Sequence, residues 1–317
     1  MSAPHGEDGS ARAIVAAFLA NLGIALAKLV AFAVTGAASM LAEGVHSIAD
    51  TGNQGLLFIG GRRARKPATG AHPFGYGRER YFWSFVVAVV LFTAGGLFAV
   101  MEGVEKIRRP HELESWPWAV GTLLVAFALE TSSLRTAVRE SRELKGELGW
   151  PDFIRHAKGP ELPVVLLEDT GALLGLAFAL LGIGLAELTG NPRFDAVGSL
   201  AIGALLGCIA FVLAVETKSL LIGEAAAPAV QAAICAALEG TPGVDRVIHL
   251  RTEHLGPDDL LVVAKIAVDG AMPLSETAVV IDRAEAAVRA GVPEARLMFL
   301  EPDVDRRMPT RETGGRS

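Results

Sequence analysis

Cysteine is scarce in this chain of 317 residues, which contains only two. Cys208 lies in an apolar run and Cys235 in the more polar C-terminal third. The two cysteines form no C-x-x-C motif and no disulfide framework. A structural zinc finger is therefore excluded, because it needs several metal-binding side chains at short spacing.

Charged residues are also missing from long stretches of the chain. Charged residues make up 20% of the sequence and hydrophobic residues 51%, with a mean hydropathy of +0.41. An ordinary soluble domain of this size is less apolar, and long uncharged runs are typical of membrane proteins. The net charge of -6 comes mainly from the C-terminal third and argues against nucleic-acid binding.

Six stretches are long enough to cross about 30 Å of hydrocarbon, which takes roughly 20 helical residues. They are Ala13–Val34, Ala38–Gly61, Tyr81–Glu105, Trp116–Ala137, Leu162–Leu188 and Phe194–Leu221. The polar segment 1–11 lacks the basic residues of a secretory signal, so we expect the first stretch to be retained as a span. Basic residues concentrate in the loops after the second and fourth spans, which predicts that both termini are cytoplasmic.

The chain changes character after residue 222, where soluble-protein patterns begin. Residues 223–303 show the order helix, strand, strand, helix, strand. The predicted elements are Ala227–Leu238, Val244–Thr252, Leu260–Val268, Ser275–Arg289 and Arg296–Leu300. This order predicts a small cytoplasmic α+β domain of ferredoxin-like type, followed by a disordered tail at 304–317. The fold class is thus an α-helical membrane protein with six transmembrane helices and a C-terminal α+β domain.

The second predicted span carries ionisable residues on one helix face. Glu43, His46 and Asp50 are spaced i, i+3 and i+7, which stacks them on the same side. Ionisable groups inside a membrane are costly and usually mark a path for ions or protons. Two carboxylates and an imidazole also suit a divalent transition metal. Asn53 and Gln54 lie near the same stripe, where they either orient Asp50 or line the cytoplasmic vestibule.

The fifth predicted span supplies a partner for this face. Glu168 and Asp169 are adjacent carboxylates in an otherwise apolar helix. Because consecutive helical residues point in different directions, we expect only one of them to face the second span. The alternative is that these acids pair with Lys28 or with a backbone donor. We otherwise expect Lys28 to extend its ammonium towards the membrane surface.

These features together resemble the cation diffusion facilitators, a family of metal/proton antiporters that includes the ZnT-type zinc transporters. The resemblance covers nearly the whole chain and rests on the spans, the C-terminal domain and the pattern Glu43-x-x-His46-x-x-x-Asp50. Residues 78–80, 195–199 and 216–224 also fit the family. The resemblance implies a homodimer in a membrane of bacterial inner-membrane type. It also implies export of a divalent metal in exchange for protons. The helices would be surrounded by membrane lipid, and no enzymatic activity is expected.

The chain departs from the family pattern in the fifth span. Zinc-transporting members carry His-x-x-x-Asp there, whereas this chain has Val165 four residues before Asp169. A branch of the family with Glu-Asp in this span matches better. The ligands that the resemblance implies are His46, Asp50 and Asp169, with Glu43 or Glu168 in place of the missing histidine.

An additional carboxylate in place of an imidazole makes the site harder, which favours Mn²⁺ or Fe²⁺ over Zn²⁺. Zinc remains the first expectation because it is the family's commonest substrate, followed by manganese, iron and cobalt. No cofactor is implied beyond the transported metal. Metal entry must displace protons from the ligands, and this linkage is the physical basis of exchange. Replacing Asp50 or Asp169 by alanine is therefore expected to abolish efflux.

Two other functions fit parts of the sequence. The missing histidine at Val165 suggests a non-transporting metal sensor or regulatory subunit, although a degenerate site would also be expected to lose its acids. An intramembrane enzyme would need a nucleophile–base pair or a His-Glu-x-x-His helix, neither of which is present in the sequence. His249 and His254 are candidates for a regulatory metal site in the C-terminal domain, or surface histidines without metal.

Overall fold

The computed structural model describes residues 22–110 and 116–305. The chain forms two compact units, Met1–Leu221 and Ile222–Ser317. The predicted segment 1–11, the beginning of the first predicted span and most of the predicted tail lie outside the described residues.

Helices follow the order of the predicted spans in the first unit. They are Leu22–Thr35 (α1), Ala38–Ala64 (α2), Glu79–Arg108 (α3), Trp116–Lys145 (α4), Glu161–Thr189 (α5) and Arg193–Ile222 (α6). A short helix, Trp150–His156, precedes α5. Among the described residues, four helices (α3 to α6) are long and apolar enough to cross a membrane. Helix α2 has 27 residues but carries the polar face, so the count of six spans stays a prediction.

A tight turn at Gly36 joins α1 to α2. Gly36 has a φ of 65°, a left-handed conformation that glycine adopts without steric penalty. The carbonyl of Gly36 accepts a hydrogen bond of 3.0 Å from the Lys106 ammonium on α3. At the start of α2, Asp195 of α6 accepts hydrogen bonds from the backbone N–H and the hydroxyl of Ser39. These contacts fix the end of α2 that lies nearest Glu43.

Helix α3 contains a π-helical segment, Leu91–Leu97, that packs against α6. A Cβ added to Gly96 would lie 3.3 Å from the Gly203 carbonyl oxygen, tighter than ordinary contact. A Cβ added to Gly95 would lie 3.6 Å from His46 Nδ1 on α2. These small residues allow the helices to pack closely.

The second unit has the predicted order of elements. They are Pro228–Glu239 (α7), Arg246–Gly256 (β1), Asp259–Ala267 (β2), Leu274–Gly291 (α8) and Leu297–Asp303 (β3). Strand β2 lies in the middle of the sheet, antiparallel to β1 and parallel to β3. Alternate residues of β2, such as Val262 and Ile266, are buried in a core with α7 and α8. The α+β fold is confirmed.

Strand β3 extends beyond its predicted end at Leu300 because its pairing with β2 continues to Asp303. Lys265 of β2 lies 2.8 Å from Glu301 Oε1 and 3.3 Å from Asp303 Oδ2. Hydrogen bonds to Glu301 and Asp303 raise the pKa of the Lys265 ammonium. The sequence pattern missed this extension because Glu301 and Pro302 interrupt the apolar alternation.

Candidate metal site

The polar face of α2 is buried inside the helical unit. Glu43, His46 and Asn53 are 0% exposed, and the Asp50 side chain is 15% exposed. His46 Nε2 lies 3.3 Å from Asp50 Oδ2, one helical turn along. The helical spacing seen in the sequence therefore brings an imidazole and a carboxylate together, away from solvent.

Several buried polar atoms on this face make no hydrogen bond within the described chain. They are Glu43 Oε1, His46 Nδ1 and Nε2, Asp50 Oδ1 and Asn53 Oδ1. Leaving a buried polar group unpaired costs roughly 1–3 kcal/mol, so such groups are few in native proteins. Because several unpaired polar atoms lie together on one helix face, this face is a candidate ligand-binding site. Imidazole nitrogen and carboxylate oxygen are donors suited to a divalent metal ion.

The two adjacent acids of α5 face different helices. Glu168 Oε1 accepts a hydrogen bond of 2.7 Å from Asn53 Nδ2 of α2. Asp169 Oδ2 accepts one of 2.9 Å from the Ser133 hydroxyl of α4. Glu168 is therefore the acid in contact with α2, whereas Asp169, which was expected to face His46 and Asp50, contacts α4. Asn53 thus orients Glu168 rather than Asp50.

Val165 lies one turn before Asp169, on the same side of α5. It packs against an apolar cluster formed by Ala137 of α4 with Phe153 and Leu166. The position where zinc-transporting members have a histidine is therefore in an apolar environment beside α4. Glu168, by contrast, points a carboxylate at α2.

Lys28 of α1 is fully buried, so the prediction that it extends to the membrane surface is wrong. Its Nζ lies 3.0 Å from Glu43 Oε2 and donates a 2.7 Å hydrogen bond to the Ser47 hydroxyl. A buried counter-charge on the neighbouring helix outweighs solvation at the surface. The sequence did contain a signal, since a lysine and an acid lie on either side of the tight turn at Gly36.

Gly175 of α5 makes room for the Glu43 carboxylate. A Cβ at this position would collide with Glu43 Oε1. Glu43 is therefore enclosed by the Lys28 ammonium on one side and by the bare backbone of α5 on the other. Sequence reasoning missed this contact because it joins residues far apart in the chain.

The predicted ligands do not converge on a single point. Among residues 22–110 and 116–305, no group of three or more His, Cys, Asp or Glu side chains is close enough to hold a metal ion. The predicted ligands instead form separate contacts: His46 with Asp50, Glu168 with Asn53, Asp169 with Ser133, and Glu43 with Lys28.

The remaining predicted residues lie at the margin of this site or outside it. Gln54 is half-buried on α2, one residue beyond Asn53. In the C-terminal domain, His249 is exposed on β1 and His254 is buried near the end of the same strand. The regulatory metal site at these histidines stays a prediction.

Two family models match this chain, one over the helical unit and one over the C-terminal domain. A family model described as "Cation efflux transmembrane domain" matches residues 14–222, and "Cation efflux protein, cytoplasmic domain" matches residues 226–299. The chain belongs to the cation efflux family. It is therefore an integral membrane protein with a C-terminal domain of the family type, which confirms the resemblance seen in the sequence.

Known members of the family share about a quarter to a third of their residues with this chain. "Proton-coupled zinc antiporter SLC30A9, mitochondrial" of Xenopus laevis is 35% identical over 247 residues, 77% of this chain and 44% of that protein. "Metal tolerance protein C4" of Arabidopsis thaliana is 29% identical, over 83% of this chain and 58% of that protein. "Cation-efflux pump FieF" of Pectobacterium atrosepticum is 25% identical, over 95% of both chains. The chain spans less than half the length of the SLC30A9 relative.

Proposed function

We propose that this protein exports a divalent metal ion from the cytoplasm in exchange for protons. Zn²⁺ is the first substrate we propose, followed by Mn²⁺, Fe²⁺ and Co²⁺. The observation that carries this proposal is the buried face of α2, where His46 and Asp50 hold unpaired donor atoms inside a helical membrane unit. The names of two relatives, a proton-coupled zinc antiporter and a cation-efflux pump, support the same activity.

We infer that His46 and Asp50 bind the metal together with acids of α5. Glu168 takes the place of the missing histidine, because Asn53 already holds its carboxylate against α2. Asp169 joins the site when it exchanges its hydrogen bond to Ser133 for the metal.

Glu43 is the remaining carboxylate of the proposed ligand set. Its Oε2 is engaged by Lys28, so Oε1 is the atom available for a metal ion. With Glu43, the site has one imidazole and several carboxylates. Such a set binds zinc and is also compatible with harder ions such as Mn²⁺.

Proton exchange follows from the chemistry of these ligands. A metal ion binds neutral imidazole and ionised carboxylate, so its entry releases protons and its exit allows them to return. Transport then needs the site to be exposed to each side in turn by movement of helices around it. We propose that the protein works as a homodimer joined through the C-terminal domain, with both termini cytoplasmic in a bacterial inner membrane.

Metal-driven proton flux tests this function directly. The purified protein is reconstituted into proteoliposomes with a pH-sensitive dye and exposed to Zn²⁺, Mn²⁺, Fe²⁺, Co²⁺ or Cd²⁺. We expect metal uptake coupled to proton exit, abolished in Asp50→Ala and Asp169→Ala. Glu187→Gln, an exposed acid on α5, is the matched control and should transport normally. Full transport by Asp169→Ala would overturn the site, and metal binding without proton flux would favour a sensor or regulatory subunit.

A further inference from the structure

The ion pair between Lys28 and Glu43 is completely enclosed by the helical unit. Both side chains are 0% exposed, and the ammonium also donates to the Ser47 hydroxyl. Charged side chains inside a membrane protein are rare and usually functional. Ser47 directly follows His46, and Glu43 is itself one of the proposed ligands, so Lys28 of α1 contacts the proposed metal site directly.

The two carboxylate oxygens of Glu43 have different surroundings. Lys28 holds Oε2 at 3.0 Å, whereas Oε1 has no hydrogen-bond partner within the described chain. The backbone of α5 at Gly175 lies against one side of Oε1, because a Cβ added there would collide with it. The carboxylate is therefore held in one orientation, with one oxygen occupied by an internal cation and one oxygen free.

We propose that Lys28 is a specificity-determining residue that acts through Glu43. By occupying Oε2, it restricts Glu43 to one available oxygen and compensates its charge, which keeps the site selective for Zn²⁺. Without the ammonium, Glu43 presents both oxygens and a full negative charge one turn from His46. The site then becomes richer in oxygen donors and harder, which favours Mn²⁺. This inference rests on the proposed function.

The ratio of Mn²⁺ to Zn²⁺ affinity isolates this effect from simple charge repulsion. Both ions carry the same charge, so the positive charge of Lys28 weakens the binding of both to a similar extent. The ratio changes only when the number or kind of donor atoms changes. A Lys28 substitution should therefore alter the ratio only while position 43 carries a carboxylate.

Metal binding by the full chain in detergent micelles, measured by calorimetry with Zn²⁺ and Mn²⁺, tests the proposal. We expect Lys28→Met to raise the Mn²⁺:Zn²⁺ affinity ratio by about tenfold, which corresponds to about 1.4 kcal/mol of differential binding. Lys28→Arg keeps the charge and should keep the wild-type ratio. Glu43→Gln and the double variant Lys28→Met/Glu43→Gln should share one ratio. Lys106→Met is the control, since Lys106 is also buried but donates to the Gly36 carbonyl.

Two results would overturn the role of Lys28: a folded Lys28→Met protein with the wild-type ratio, or an equal shift in the Glu43→Gln background. If Lys28→Met does not fold, Lys28→Gln takes its place as the neutral variant, and Glu43→Gln is still compared with the double variant, which contains no unpaired buried charge. Unequal ratios in that comparison contradict the proposal. Asp50→Ala distinguishes a failure of the proposed metal site from a failure of the proposed role of Lys28. If it binds and transports normally, the proposed site fails, whereas an inactive Asp50→Ala with an unchanged Lys28→Met ratio defeats only the role of Lys28.

Discussion

Charged residues are used in opposite ways by the two units of this protein. In the C-terminal domain, Lys265 and Arg246 form ion pairs with Glu301 and Asp305 at partly exposed positions. In the helical unit, Lys28 and its acid partner are fully buried. Exposed ion pairs contribute little to stability. Buried charges in a membrane are costly, and for this reason they usually mark a functional site. The difference shows which charges to investigate for transport and which for domain stability.

The strongest test of this contrast removes a buried acid from α5. We expect Glu168→Gln to reduce metal transport by about a hundredfold or more, because losing a metal ligand costs at least as much as losing a group that holds one in place, which lowers metal affinity about 10- to 100-fold. Flux assays in proteoliposomes measure the change. Glu187→Gln removes an exposed acid from the same helix and should have no effect. Normal transport by Glu168→Gln would show that the acid facing α2 is not a ligand.

The second test concerns the residue that orients Glu168. Asn53→Ala removes the 2.7 Å hydrogen bond, and we expect metal affinity to fall about 10- to 100-fold, as for other groups that hold a ligand in place. Calorimetric titration with Zn²⁺ gives the affinity. Ser133→Ala removes the hydrogen bond to the neighbouring acid from an exposed position and should change affinity less. A wild-type affinity in Asn53→Ala would contradict the orienting role.

The third test fills the space beside Glu43. Gly175→Ala should destabilise the helical unit by about 1–3 kcal/mol, because the added Cβ overpacks against the buried carboxylate. Thermal unfolding in detergent, followed by circular dichroism, reports the loss. Gly184→Ala on the same helix is the control, since nothing lies within 4 Å of a Cβ there. Equal unfolding temperatures for the two variants would show that α5 can move away from Glu43.

The smallest effect is expected in the C-terminal domain. The raised pKa of Lys265 means that its ammonium is favoured in the folded domain. Its stabilising contribution is present below the ordinary lysine pKa of about 10.4 and disappears as pH rises through the raised folded value. Lys265→Met should slightly increase hydrogen exchange in β2 and β3 at neutral pH, without altering transport. If the effect of Lys265→Met on hydrogen exchange grew as the pH rose above the lysine pKa, the stabilising role of the Lys265 ammonium would be contradicted.

The parts of the structure that follow from local periodicity could be predicted from the sequence. Helix spacing placed His46 and Asp50 on one face, and the alternating pattern of β2 predicted a buried strand. The rotation of α5 could not be predicted, because it depends on which helices pack around Glu168 and Asp169. The burial of Lys28 was missed for a similar reason, since its partner lies on another helix. These tertiary contacts decide which acids can meet the metal.

The coordination of bound zinc tests the central claim that the face of α2 binds the transported metal. X-ray absorption spectroscopy is applied to the full chain carrying His249→Ala and His254→Ala, loaded with one equivalent of Zn²⁺. We predict a first shell of one imidazole with oxygen donors, and loss of the imidazole contribution when His46→Ala is added. A first shell that is unchanged by His46→Ala would contradict the account.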